Sequence, residues 1–63
     1  MYTPDEIAEK SPRLRQAARI ALQVVSSEAE GYLSFDEYNQ RFLWVPDSNS
    51  YTKQDYEAAL AGL

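Results

Sequence analysis

The sequence predicts an all-α domain of three or four short helices arranged as a small bundle, and three observations support this prediction. Helix-start signals recur along the 63 residues. One long segment places its apolar residues on a single arc when the chain advances by about 100° per residue. The chain has no Cys, so no disulfide framework is expected to replace a helical core. We therefore expect one small helical domain over residues 1–63.

The first predicted helix covers about residues 4–9. Thr3 is a favourable N-cap residue, and Pro4 follows it at the first helical position, where a proline loses no hydrogen bond. Asp5 and Glu6 then place negative charge in the first turn, where the helix dipole favours it. A short helix is the expected result.

The second predicted helix covers about residues 12–28, because Ser11 and Pro12 repeat the same start signal. Gly31 fits its C-terminal stop, since glycine adopts left-handed angles without cost. The apolar arc of this helix contains Leu14, Ala17, Ala18, Ala21, Leu22, Val24 and Val25.

The third predicted helix covers about residues 35–44. Ser34 and Glu37 have the spacing of a capping box, and Pro46 requires the helix to end before it. A fourth helix, over about residues 53–61, has a weaker start signal at Thr52. The apolar faces of these two helices are expected to share a core, and they contain Phe35, Tyr38, Phe42, Val45, Tyr56, Ala59, Leu60 and Leu63.

Composition excludes several classes of function. Ten acidic and six basic residues give a net charge of −4, which argues against general binding to nucleic acid or to anionic membranes. The absence of Cys and His excludes thiol nucleophiles, imidazole catalysis and zinc sites with Cys or His ligands. No apolar run approaches the roughly 18–20 residues of a membrane span. We expect a cytoplasmic protein that is not an enzyme and carries no cofactor.

Residues 26–38 resemble the loop and exiting helix of an EF-hand, with Gly31 at the turn and Glu37 at the position of the bidentate carboxylate. The family loop begins with Asp, whereas this segment begins with the neutral Ser26. We favour a helix–turn–helix with a capping box, and a divalent-ion site is the third functional hypothesis. The resemblance implies side-chain ligands at Ser26, Glu28, Glu30 and Glu37, and the carbonyl of Tyr32.

The same segment is similar to SHOCT-type domains, which are small helical hairpins associated with oligomerisation. The shared pattern is Gly31, Leu33, Ser34, Glu37 and Tyr38. This resemblance implies self-association of helices. A glycine stop followed by a capped helix is a general way to join two helices, so one physical cause accounts for both resemblances.

Basic residues are concentrated between residues 10 and 19, where no acid occurs. Arg13 and Arg15 lie in the first turn of the second predicted helix, where the helix dipole disfavours cations by about 0.3–1 kcal/mol each. We favour neutralisation by acids of the first helix, namely Asp5, Glu6 and Glu9. The alternative is an anion-binding patch that contains Arg13, Arg15 and Arg19.

DNA-linked regulation is the second functional hypothesis, because two helices joined by a short glycine-containing turn match the outline of a helix–turn–helix. The recognition helix would carry Asn39, Gln40 and Arg41 as base-reading residues. Asp36 and Glu37 would then face phosphates. Such a protein would bind through its local basic patch or as a dimer.

The leading hypothesis is a protein-binding module, acting as an adaptor, regulator or inhibitor of the kind that phages and mobile elements encode. Leu43 and Trp44 form an aromatic–aliphatic pair typical of interface hot spots, if the third helix continues through them. The alternative is that the helix stops before them and both residues fold under the loop that precedes Pro46. Tyr32 and Tyr51 in predicted loops complete the candidate interface. The expected partner is another protein or a second copy of the chain.

Overall fold

The computed structural model describes residues 1–63 and contains three helices and one three-stranded antiparallel sheet. The prediction of an all-α helical bundle is therefore wrong. The elements in chain order are α1 (Pro4–Ala8), α2 (Pro12–Leu22), β1 (Glu30–Asp36), β2 (Arg41–Pro46), β3 (Tyr51–Thr52) and α3 (Lys53–Leu60). The sheet order is β2-β1-β3, so the central strand is β1 and β2 lies at an edge.

Three of the four predicted helix starts are confirmed. The Thr3 hydroxyl accepts from the Glu6 amide at 3.1 Å, while the Thr3 amide donates to the Glu6 carboxylate at 2.9 Å. The hydrogen bond from the Thr3 amide lowers the pKa of Glu6. Ser11 caps α2, and Thr52 forms a reciprocal capping box at the start of α3. These caps use groups within one helical turn, so local sequence is sufficient to specify them.

Helix α2 ends at Leu22, several residues before its predicted end. Gln23 is the C-cap, and the next four residues are two valines and two serines, which are weaker helix formers than alanine or leucine. Val24, placed by the sequence in the apolar arc, is consequently 90% exposed. Gly31 is not the helix stop, because it lies in β1.

The predicted third helix is a β-hairpin in the structure. Strands β1 and β2 pair with Leu33 opposite Trp44 and Phe35 opposite Phe42. Side chains at alternate positions of a strand share a face, so these four residues lie on the same face of the sheet. The spacing of Phe35 and Phe42 matches a helical repeat as well, so the spacing of apolar residues alone predicts a helix here.

Asp36, and not Ser34, caps the turn between these strands. Its Oδ1 accepts from the amides of Tyr38 at 3.1 Å and Asn39 at 3.3 Å, and its Oδ2 accepts from the Asn39 side chain at 2.8 Å. The side-chain bond from Asn39 is the main reason why the pKa of Asp36 is lowered. Gln40 completes the turn with a φ of 54°. The predicted capping box at Ser34 and Glu37 is absent because neither residue lies in a helix.

One hydrophobic core lies between the helices and the sheet. Every helix contributes to it, so all three helices cover the same face. The residues that form it are Ile7, Ala18, Leu22, Leu33, Phe42, Tyr56 and Leu60. The opposite face of the sheet has no helix packed against it, and this asymmetry positions the candidate site.

Candidate functional site

The uncovered face of the hairpin carries three apolar side chains that we call the outer-face patch: Tyr32, Leu43 and Val45. Tyr32 lies directly opposite Val45, and Leu43 lies opposite Ser34. None of the three belongs to the core or packs against it. Cross-strand neighbours on one face of a sheet are in side-chain contact distance, so these residues form a continuous surface.

Charged residues border the outer-face patch. Arg41 Nε lies 3.5 Å from Asp36 Oδ2 at the turn end of the hairpin, and this is the one ion pair in the chain. Glu30 is exposed at the other end of β1. An apolar centre with a polar rim is the arrangement found in protein–protein interfaces.

A second apolar surface, which we call the edge groove, lies between α2 and β2. Its volume is about 300 Å³. Three large side chains on it are exposed to solvent, namely Ile20 (56%), Val24 (90%) and Leu43 (41%). Leu43 therefore belongs to both surfaces. The lining residues are Ala17, Ile20, Ala21, Val24, Arg41, Phe42, Leu43 and Trp44.

The four side chains predicted to bind protein lie on different faces of the sheet. Tyr32 and Leu43 are on the outer face. Trp44 and Tyr51 are half-buried on the inner face, where their rings pack edge-on against Tyr56 at centroid distances of 6.0 and 5.8 Å. Trp44 also lines the edge groove, whereas Tyr51 does not.

Sequence reasoning did not select Val45, Ile20 or Val24 for the surface. A strand over residues 41–46 places Val45 on the same face as Leu43, because alternate residues of a strand share a face. The helix predicted for this segment hides that relationship. Ile20 and Val24 lack such a signal, because their exposure depends on where α2 ends and where β2 packs against it.

The three arginines of the predicted anion-binding patch do not share one surface. Arg15 is half-buried and its Nη1 donates to the Lys10 carbonyl at 2.7 Å, while its buried Nε has no hydrogen-bond partner. Arg19 lines a cleft between α2 and α3 together with Glu57. Arg13 is exposed, and the helical advance of about 100° per residue puts it on nearly the opposite side of α2 from the other two. None of the three forms an ion pair with the acids of α1.

The proposed EF-hand ligands are likewise separated. Ser26 and Glu28 lie in a turn, where the Ser26 hydroxyl donates to Glu28 Oε2 at 2.6 Å and lowers the pKa of that carboxyl. Glu30 begins β1 and Glu37 follows its other end. No group of three acidic side chains is close enough to hold a metal ion.

Neither resemblance found in residues 26–38 agrees with the fold, because a strand replaces the exiting helix of the EF-hand and the second helix of the SHOCT-type hairpin. The same correction applies to the helix–turn–helix hypothesis. Asn39 and Gln40 lie in the hairpin turn and Arg41 begins β2, so the recognition helix is absent. These hypotheses lose the structural element on which they depended.

Comparison with other proteins adds no relative, since no protein-family model, curated protein or solved structure matches this chain. No helix in the structure has the length and apolar character needed to cross a membrane.

Proposed function

We propose that this chain is a non-catalytic protein-binding module that contacts its partner through the outer-face patch. The observation that supports this proposal most directly is the uncovered face of the hairpin, where Tyr32, Leu43 and Val45 stand together outside the core. A sheet that buries one face normally carries polar residues on the other face. The apolar residues at these positions depart from that pattern. Binding of a partner to this face explains why they are apolar.

The chemistry of the patch fits a partner with an apolar centre. Tyrosine is enriched in interfaces because its ring offers a large rigid surface and its hydroxyl a polar end. The ion pair of Asp36 and Arg41 and the carboxylate of Glu30 lie at the border, where they would set the orientation of the partner more than the affinity. The absence of Cys and His from the sequence supports a role without catalysis.

The test is an affinity capture from cells that naturally make the protein, followed by titration of the purified partner. Tyr32→Thr and Val45→Thr remove apolar surface and keep residues that favour strands. We expect each to weaken partner binding at least about tenfold, which corresponds to ~1.4 kcal/mol. Tyr38→Thr is the matched control, because Tyr38 is 94% exposed in the hairpin turn and lies outside the patch.

The titration also identifies failure of the proposal. If the purified partner binds the wild-type chain and both patch variants with the same affinity, the outer-face patch is not the interface. If capture yields nucleic acid and no protein, the chain is not a protein-binding module.

A further inference from the structure

The edge of β2 that faces away from β1 carries backbone hydrogen-bonding groups that no strand of this chain pairs. The Leu33 amide donates to the Tyr56 hydroxyl at 3.0 Å, and the Leu33 carbonyl accepts from the Tyr2 amide at 2.9 Å, so both groups point away from β2. In an antiparallel pair, residues opposite each other either both point inward or both point outward. Trp44 lies opposite Leu33, and Phe42 occupies the equivalent position opposite Phe35. The N–H and C=O groups of Phe42 and Trp44 therefore point away from β1, toward the edge of β2 that has no strand partner.

Proteins commonly protect such an edge with charges, proline or a covering element. Here Arg41 and Pro46 stand at the two ends of β2, and the four residues between them are apolar. The edge groove continues the apolar surface onto α2 through Ile20 and Val24. An edge of this kind is a template for pairing with another strand.

We infer that a second copy of this chain occupies the edge, through antiparallel pairing of the two β2 strands about a twofold axis at Leu43. In this register Phe42 of each copy faces Trp44 of the other copy, so the outward N–H and C=O groups of both residues find partners. The two three-stranded sheets become one continuous sheet. Isologous pairing of this type is the commonest symmetry of soluble oligomers.

Alternative registers of the two β2 strands give hydrogen-bond partners to fewer of the outward N–H and C=O groups of Phe42 and Trp44. A register centred on Trp44 places Phe42 opposite Pro46, which has no N–H to donate. A register centred on Phe42 places Trp44 opposite Gln40, whose φ of 54° lies outside the strand. The sequence of β2 thus favours self-pairing at Leu43.

Charge is compatible with a second copy in spite of the net charge of −4. No carboxylate lines the edge groove, and its one charged residue, Arg41, is already paired with Asp36 of its own chain. In the proposed register Arg41 lies across from Val45 of the second copy, so the two arginines are not opposed. The acidic surface of each chain stays outside the contact.

The size of the core gives an independent reason for self-association. Only nine of the 63 residues are buried, and the chain has no Cys to form a disulfide. Chains below about 70–80 residues commonly need a disulfide, a metal or oligomerisation in addition to their own core. In the proposed dimer the two Leu43 side chains lie side by side on the outer face, and the edge groove, which contains Ile20 and Val24, lies at the contact.

The first experiment measures the mass of the full chain in solution by sedimentation equilibrium. We expect two chains per particle for the wild type. Val24→Glu should raise the dimer dissociation constant at least about tenfold, since it places a carboxylate on the edge groove. Leu63→Glu, at another exposed apolar side chain, should leave the dissociation constant unchanged.

The second experiment tests the register by disulfide trapping, which is unambiguous because the chain has no native Cys. Leu43→Cys should form a disulfide-linked dimer under mild oxidation, because residues facing each other in a pair without mutual hydrogen bonds have Cα atoms about 4.5 Å apart. Val45→Cys is the matched control on the same strand and face. Its expected neighbour is Arg41, so it should not cross-link.

The outcomes separate this inference from the proposed function. A monomeric wild type at all concentrations, or cross-linking through Val45→Cys in preference to Leu43→Cys, overturns the pairing of β2 strands. A monomer that still binds a partner protein through Tyr32 and Val45 overturns only the pairing. A Leu43-linked dimer that captures no partner protein supports the pairing and contradicts the proposed function.

Discussion

The hydroxyl of Tyr56 accepts a hydrogen bond of 3.0 Å from the backbone amide of Leu33. The same hydroxyl donates to the backbone carbonyl of Tyr2 at 2.6 Å. Tyr56 is fully buried on α3, so one side chain joins the third helix, the central strand and the N-terminal residues. The Tyr56 hydroxyl and the Tyr2 amide therefore satisfy the backbone groups of Leu33 on the side of β1 that faces β3. Strand β3 itself pairs only with Glu30 and Gly31.

Tyr56→Phe should lower the free energy of unfolding by about 1–3 kcal/mol, because the Leu33 amide and the Tyr2 carbonyl lose their buried partner. Chemical denaturation monitored by circular dichroism measures this change. Tyr51→Phe is the control, since the Tyr51 ring packs on Tyr56 but its hydroxyl forms no hydrogen bond within the chain. Equal losses in the two variants would show that the hydroxyl bridge contributes nothing specific.

Alkaline pH should act on the same bridge. Burial raises the pKa of Tyr56 above the ordinary tyrosine value of about 10. The folded state therefore favours the protonated phenol, and the stability that this provides is fully present below pH ~10 and lost as pH rises through the raised value. Denaturation midpoints measured across this range should fall more steeply for the wild type than for Tyr56→Phe. If the midpoints of the wild type and of Tyr56→Phe fall equally with pH, ionisation of Tyr56 does not destabilise the folded state.

The helices of this chain were largely predictable from sequence, whereas the hairpin was not. Thr3, Ser11 and Thr52 cap their helices through groups three residues away, so the signal is contained in the local sequence. The hairpin depends on pairing between Leu33 and Trp44, which are eleven positions apart and therefore beyond the reach of a capping signal. Phe35 and Phe42 fit both a helix and a hairpin by spacing, and only the turn formed by Asp36 distinguishes the two.

The candidate site was only partly predictable for the same reason. The sequence predicts Tyr32 and Leu43 as interface residues, and the structure places both on the uncovered face of the sheet. Trp44 was placed beside Leu43 on the assumption of a helix, but neighbours along a strand point to opposite faces. Its indole therefore lies on the inner face. Assigning β2 as a strand is by itself sufficient to place Leu43 and Trp44 on opposite faces of the sheet.

Gly31→Ala should destabilise the domain by about 1–3 kcal/mol, the usual cost of overpacking a filled site. A Cβ at Gly31 would lie 2.9 Å from the Trp44 indole and would collide with the Val45 carbonyl. Gly62→Ala is the matched control, because nothing lies near that position. Thermal melting of the two variants measures the difference. A Gly31→Ala protein as stable as Gly62→Ala would show that β2 moves aside freely.

The role of Trp44 is best tested against that of Phe42. Phe42 is buried in the core and packs edge-on against Phe35 at 5.0 Å and Tyr2 at 5.7 Å. Phe42→Ala should cost about 3–5 kcal/mol, which is comparable to the whole stability of so small a domain, and the variant should be unfolded.

Trp44 is half-buried, and its indole packs on Tyr56 while its Nε1 has no hydrogen-bond partner. Trp44→Phe keeps an aromatic ring against Tyr56 and removes no hydrogen bond, so it should cost less than the roughly 3–5 kcal/mol typical of truncating a buried tryptophan to alanine. Trp44→Ala removes the ring and should destabilise the domain clearly more than Trp44→Phe does. Urea denaturation of both variants, with Phe42→Ala alongside, measures these effects. If Trp44→Ala keeps wild-type stability, the indole contributes nothing to the core and belongs to the interaction surface.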